Sequence, residues 1–80
     1  MTEALVRDTL KEVLIEEFEV EEDEIVEGAN FFTDLDMDSL DAIDLIVMMD
    51  KKLNIDLKAE DAQKIRTIDE FVALIMTRVS

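Results

Sequence analysis

The 80-residue chain has no cysteine, histidine, proline, tryptophan or tyrosine, and a single glycine. Each absence removes a class of chemistry. Without cysteine there is neither a disulfide framework nor a thiolate for a metal site, and the redox compartment is unmarked. Without histidine there is no imidazole ligand for zinc and no imidazole base to activate a hydroxyl. One glycine is too few for a phosphate-cradling loop. Basic residues are also scarce, 8 against 22 acids, which leaves a net charge of −14. Such a surface repels nucleic acid and anionic membranes and steers the chain towards partners with basic patches. No apolar run approaches the roughly 20 residues of a membrane span. The N-terminus is polar and acidic rather than a basic-then-apolar signal, so the expectation is a cytoplasmic protein outside the membrane.

What is present reads as a folded helical chain. Apolar residues make up 49% of the sequence, too many for a disordered acidic tail. Leu, Ile, Val and Met dominate, and Phe is the only aromatic. The length fits one domain over 1–80, near the size where a single core is only marginally stabilising.

Thr2 is placed to cap a first helix, with Val6, Leu10, Val13, Leu14 and Phe18 forming one apolar stripe at helical period. That helix should fade around 17–19. From Val20 to Asp36 the periodicity is poor. The acids of 21–24, then Gly28 and Asn30, read as a long connection whose apolar residues Val20, Ile25, Phe31 and Leu35 plug into the core. A short helical turn fits near 23–26. A second helix is expected from Ser39 to Lys52 or Leu53, ended by Asn54 in the left-handed conformation. Its apolar arc is broad, so Leu40 and Val47 are either core or a small exposed contact patch. A short third helix fits within Asp56 to Gln63, with Leu57 and Ala62 inward. Thr67 and Glu70 form a capping box for a last helix running to about Arg78. The fold class is therefore all-α, with three longer helices, one short one and a long first connection.

The stretch Asp34-Leu35-Asp36-Met37-Asp38-Ser39-Leu40-Asp41 organises this chain. Asp38 is a good N-cap and Asp41 stands three residues on, where a capping-box acid belongs. Ser39 then falls in the first helical turn, near solvent and ringed by carboxylates. It lacks a histidine to make it a nucleophile, but a helix N-terminus favours an added phosphate. Ser39 reads as a covalent attachment point. A calcium-loop reading fails, because Ser39 stands where the loop needs glycine and Leu45 where it needs a bidentate Glu; no metal site is expected. A two-carboxylate hydrolase needs a desolvated cleft that so small a helical chain offers poorly. Independent enzymatic activity is not expected. An acidic helical adaptor or divalent-ion-binding module with no covalent arm is the alternative.

Asp38-Ser39-Leu40-Asp41, preceded by Phe31-Phe32-Thr33-Asp34-Leu35 and followed by Ala42-Ile43-Asp44-Leu45, closely resembles the acyl carrier proteins of fatty acid and polyketide synthesis. The likeness extends through the acidic loop 20–30 to Lys64-Ile65-Arg66-Thr67-Ile68, and so over nearly the whole chain. The resemblance implies a four-helix bundle and a monomer. It implies that Ser39 receives 4′-phosphopantetheine from coenzyme A by a magnesium-dependent phosphopantetheinyl transferase, and that acyl groups ride as thioesters on the arm. It further implies that Asp38, Leu40, Asp41, Asp44, Val47 and Asp50 face basic docking patches on that transferase, on acyl transferases and on ketosynthases. Phe32, Ile46, Leu57 and Ile65 would lie near an acyl cavity. Two departures stand out: Asp36 where the family usually has glycine, and Lys51 and Lys52 where acids commonly continue. They suggest a carrier dedicated to a specialised pathway.

Self-repulsion among the acids strains any compact state. Added salt or divalent cations are expected to raise the melting temperature, as a thermal unfolding series at increasing ionic strength will test. A flat response would show that the charge is harmless to the fold.

Overall fold

The computed structural model describes residues 2–79. Helix α1 spans Glu3–Phe18. Its first turn is closed by Thr2, whose Oγ1 accepts from the Leu5 N–H at 3.2 Å. Val6, Leu10, Val13 and Leu14 are buried, while Phe18 packs half-buried at the core's edge. The helix stops where Glu19 turns left-handed (φ 57°) and its N–H returns to the Leu14 carbonyl.

The connection that follows carries a short 3-10 turn at Glu22–Glu24, in the region expected for one. It is pinned further on. The Phe31 N–H donates to the Arg66 carbonyl at 2.8 Å, and the Ile68 N–H donates to the Ala29 carbonyl at 2.9 Å. Together they make an antiparallel bridge between Asn30 and Thr67. Asn30 also organises the turn, its Oδ1 accepting from the N–H groups of Phe32 (2.8 Å) and Thr33 (3.2 Å), as Asn does in tight turns. Phe31 is fully buried edge-on against Phe71, with ring centroids 6.0 Å apart, a favoured aromatic geometry. Val20 and Leu35 are buried as expected and Ile25 partly so; Ala29 and Met37 join them.

Helix α2 spans Ser39–Leu53 and buries Ala42, Leu45, Ile46 and Met49. Asn54 ends it in the left-handed conformation (φ 54°), with Lys51 and Lys52 in the last turn, where cations suit the negative end of the helix dipole. The short helix is a 3-10 helix at Ala59–Lys64, beginning later than the earliest start the sequence allowed at Asp56. The delay has a local cause. The Lys58 N–H is taken by the Asp61 carboxylate at 2.9 Å, which makes Lys58 the residue before the first turn. Leu57 and Ala62 do point inward. Helix α3, Ile68–Val79, starts at the expected box: the Glu70 N–H donates to Thr67 Oγ1 (3.1 Å) and the Thr67 N–H to Glu70 Oε1 (3.0 Å). Helix α1 packs against α2 and α3, and the 3-10 helix packs on α2. Among the described residues the result is an all-α bundle of three long helices and a short one.

Asp61 was not singled out by the sequence, yet it is the one buried charged residue among those described, at 1% exposure. Arg78 grips it through both terminal nitrogens, at 3.1 and 2.9 Å, and also donates to the Asp56 carbonyl at 2.9 Å. Lys64 lies 3.4 Å away. This cluster fastens the short helix to the end of α3. Burial alone would raise the Asp61 pKa. The Lys58 N–H, the Arg78 hydrogen bonds and charge, and Lys64 outweigh it and hold the carboxyl below its ordinary 3.8. A depressed carboxyl pKa contributes stability that is present above the unfolded-state value and lost as pH falls through the folded one. Asp61→Asn should therefore lower stability at neutral pH by about 1–3 kcal/mol. The difference from wild type should shrink below pH 3.8, as paired urea titrations will show. A gap that persisted in acid would mean that the carboxylate's charge is not what fastens the helix.

Candidate functional site

The site is built on the first turn of α2. Asp38 is extended, and its Oδ1 accepts from the Asp41 N–H at 2.9 Å, while Asp41 Oδ2 accepts from the Asp38 N–H at 3.3 Å. This reciprocal box fixes the direction in which the helix leaves the loop. Ser39, the first helical residue, is exposed. Being upstream of the capped third position, the N–H groups of Ser39 and Leu40 face the helix end with no intrahelical acceptor. With the dipole, they favour an anion there.

The loop enters this turn through Asp36, which lies in the left-handed region (φ 58°). The position keeps a conformation that suits glycine, and Asp tolerates it better than most side chains. Met37 then turns inward, 6% exposed, and its N–H donates to the Phe31 carbonyl at 2.9 Å. The pinned loop thus sets where Ser39 stands. Other acids of the run serve the backbone as well: Asp34 Oδ2 accepts from the Asn30 N–H at 2.8 Å. Asp34 and Asp38 thus each give one carboxylate oxygen to a backbone N–H.

Along α2, Leu40 (71%) and Val47 (43%) are exposed, which excludes the core reading for both. Asp38 and Asp44 are exposed too, and Asp41 and Asp50 are half-buried. The last two divide their carboxylates between the surface and the fold, Asp41 in the cap and Asp50 through the Leu57 N–H at 3.4 Å.

Beside Ser39 lies a half-open cavity of about 400 Å³. Phe32, Ala42 and Ile43 form one wall, and Ala59, Ala62, Gln63, Ile65 and Arg66 the other. Of the four residues expected near such a cavity, Phe32 and Ile65 line it. Ile46 and Leu57 do not; they are buried in the core. Ala42, Ile43, Ala59, Ala62, Gln63 and Arg66 were not anticipated. The signal was faint: Ala42 follows Ser39 by three residues and shares its face, and alanines on facing elements leave space between them.

Chemically, the arrangement offers an exposed hydroxyl at an anion-favouring helix end, next to an apolar hollow. The acids nearby are solvated or spent on caps, and none is a placed base for Ser39.

Comparison with known proteins bears on family and fold. The family model described as phosphopantetheine attachment site matches residues 8–75. An acyl carrier protein from Wolinella succinogenes is 39% identical over 70 residues, which are 88% of this chain and 92% of the relative. One from Lactobacillus acidophilus is 32% identical over 94% of each chain. The solved acyl carrier protein from Enterococcus faecalis superposes with a TM-score of 0.77 over 98% of this chain and 99% of that one. Its identity is 24%, so that likeness speaks for the fold.

The left-handed Asp36 is a local cost that glycine would relieve. Asp36→Gly should raise stability by about 0.5–1 kcal/mol, read as a higher urea midpoint with an unchanged slope. A lower midpoint would show that the Asp side chain holds the turn.

Proposed function

The chain belongs to the acyl carrier proteins of the phosphopantetheine-attachment family, and from that premise we propose that Ser39 is the residue that bears the arm. The observation that carries this is the exposed Ser39 hydroxyl at the capped start of α2, opening on the cavity. Carriers of this family work through covalent 4′-phosphopantetheine, whose terminal thiol forms the acyl thioester. It supplies the sulfur that a chain without cysteine lacks.

The protein's own residues bind, orient and shelter. The Asp38–Asp41 box holds the first turn rigid, and the free N–H groups of Ser39 and Leu40 favour the phosphodiester. On modification Ser39 Oγ would form the new bond to phosphorus and lose its proton while adenosine 3′,5′-bisphosphate leaves coenzyme A, and the base comes from the transferase, because the carboxylates around Ser39 are solvated or held in the cap. An apolar cargo enters between Phe32 and Ile65. Ile46 and Leu57, buried in the core, yield when a longer chain goes deeper. Met37 and Met49, both buried, have the soft side chains that make such repacking inexpensive.

Asp38, Leu40, Asp41, Asp44, Val47 and Asp50 form the face read by partner enzymes. Acids steer the encounter with basic patches on phosphopantetheinyl transferase, acyl transferases and ketosynthases, while Leu40 and Val47 give a small apolar contact. A carrier that visits many active sites needs such fast, weak, steered binding. In this reading the chain catalyses no reaction itself and acts in the cytoplasm as a monomer. The exposed Lys51 interrupts the acidic face, which favours partners dedicated to one pathway. Lys52 is turned aside towards Glu12, 3.7 Å away.

Incubation with coenzyme A, magnesium and a broad-specificity phosphopantetheinyl transferase should add one phosphopantetheine by intact mass, and Ser39→Ala should abolish the gain. If the folded protein gains no mass, the unmodified acidic adaptor takes the place of this reading. If Ser39→Ala still gains it, the arm sits elsewhere.

A further inference from the structure

The basic residues of this chain are almost all occupied. Among the described residues, six of the eight lie in ion pairs: Arg7, Lys11, Lys52, Lys58, Lys64 and Arg78. Lys51 and Arg66 do not. Lys51 sits at the far end of α2, but Arg66 lines the same cavity as Ser39. In a molecule with a net charge of −14, a guanidinium left without a carboxylate is unusual, and the local structure explains how it stays so. Of the two acids that follow Arg66 closely in the chain, Asp69 is paired with Arg7 at 3.0 Å, and Glu70 is the other. Its Oε1 already accepts from the backbone N–H groups of Arg66 (2.9 Å) and Thr67 (3.0 Å). The Arg66 carbonyl meanwhile accepts from Phe31. The backbone of Arg66 is held on both sides while its side chain is left unengaged. Gln63, on the same wall, adds a neutral amide with no charge of its own.

We propose that Arg66, with Gln63 beside it, is an oxyanion site in the wall of the Ser39 cavity, taking either the phosphodiester on Ser39 or a carboxylate on a short cargo. The inference rests on Ser39 as the attachment point. Guanidinium binds phosphate and carboxylate through paired N–H donors. Asp36, Asp38, Asp41 and Asp44 flank Ser39 in the sequence, and their charge opposes an incoming anion. A cation in the wall offsets that repulsion where the remaining lining is largely apolar. Without it, this cavity would discriminate strongly against a cargo ending in a carboxylate.

The test uses the full chain in four forms: unmodified, and loaded by the transferase from coenzyme A, butyryl-coenzyme A or succinyl-coenzyme A. The two acyl groups have the same length and differ in the terminal carboxylate. Intact mass reports loading, and the Arg66 Nε–H resonance reports the site. Equal displacement of that resonance in all three loaded forms identifies the phosphodiester as the anion. Displacement confined to the succinyl form identifies the cargo carboxylate. Complete loading with the resonance unmoved overturns the inference and leaves Ser39 as the attachment point. Absence of loading overturns both. Arg66→Gln should melt with wild type, because its side chain makes no ion pair, and where the succinyl form alone moves the resonance it should speed hydrolysis of the succinyl thioester up to roughly fivefold over the butyryl one, the scale of one exposed ion pair. In that case equal rates would count against the carboxylate site.

Discussion

Two backbone hydrogen bonds, Phe31 N–H to Arg66 and Ile68 N–H to Ala29, hold this structure in its working form. They join the middle of a long connection to the start of α3, segments far apart in sequence. A loop of that length is entropically easy to close but has no preferred shape of its own. Once it is tied at Asn30–Thr67, and Phe31 is seated against Phe71, the remaining residues to Ser39 have little freedom. The Met37 N–H returns to Phe31, Asp36 makes the left-handed turn, and Asp38 begins α2. The same tie fixes the segment that carries Ile65 and Arg66. Both walls of the cavity beside Ser39 are therefore positioned by one short bridge.

The acidity has a structural use beyond repulsion. A chain with one glycine and no proline must end and start its helices by other means. Here the left-handed positions fall to Glu19, Asp36 and Asn54 as well as Gly28. The backbone N–H groups at turns are met by the carboxylates of Glu24, Asp34, Asp38, Asp41, Asp61 and Glu70. These acids occupy donors that would otherwise face only water. The cost of the net charge and the benefit of the caps come from the same residues.

That division explains what was legible in the sequence. Caps and stripes are local, so α1, the Asp38–Asp41 box, the Asn54 stop and the Thr67–Glu70 box could be read from spacing alone. The exposed position of Leu40 and Val47 could not, because a broad apolar arc does not say which part of it a partner helix covers. Asp61 looked like one more surface acid. Its burial depends on Arg78, 17 residues away. The cavity was hardest of all: its walls come from three segments. Family likeness pointed at Ile46 and Leu57, which are core residues outside the lining, while Gln63 and Arg66 carried no pattern that would mark them.

The two walls of the cavity are not equally firm. Helix α2 is a full α-helix with four buried residues against the core. The opposite wall is a six-residue 3-10 helix, whose hydrogen bonds are poorer and whose runs are short for that reason. It is fastened through the Asp61–Arg78 cluster and by the bridge that follows it, and between these points it contributes only Ala62 and Asp61 to the buried set. The least costly displacement is therefore of this wall, with α2 left in place. A cavity built this way can widen on one side without moving the exposed acids of α2.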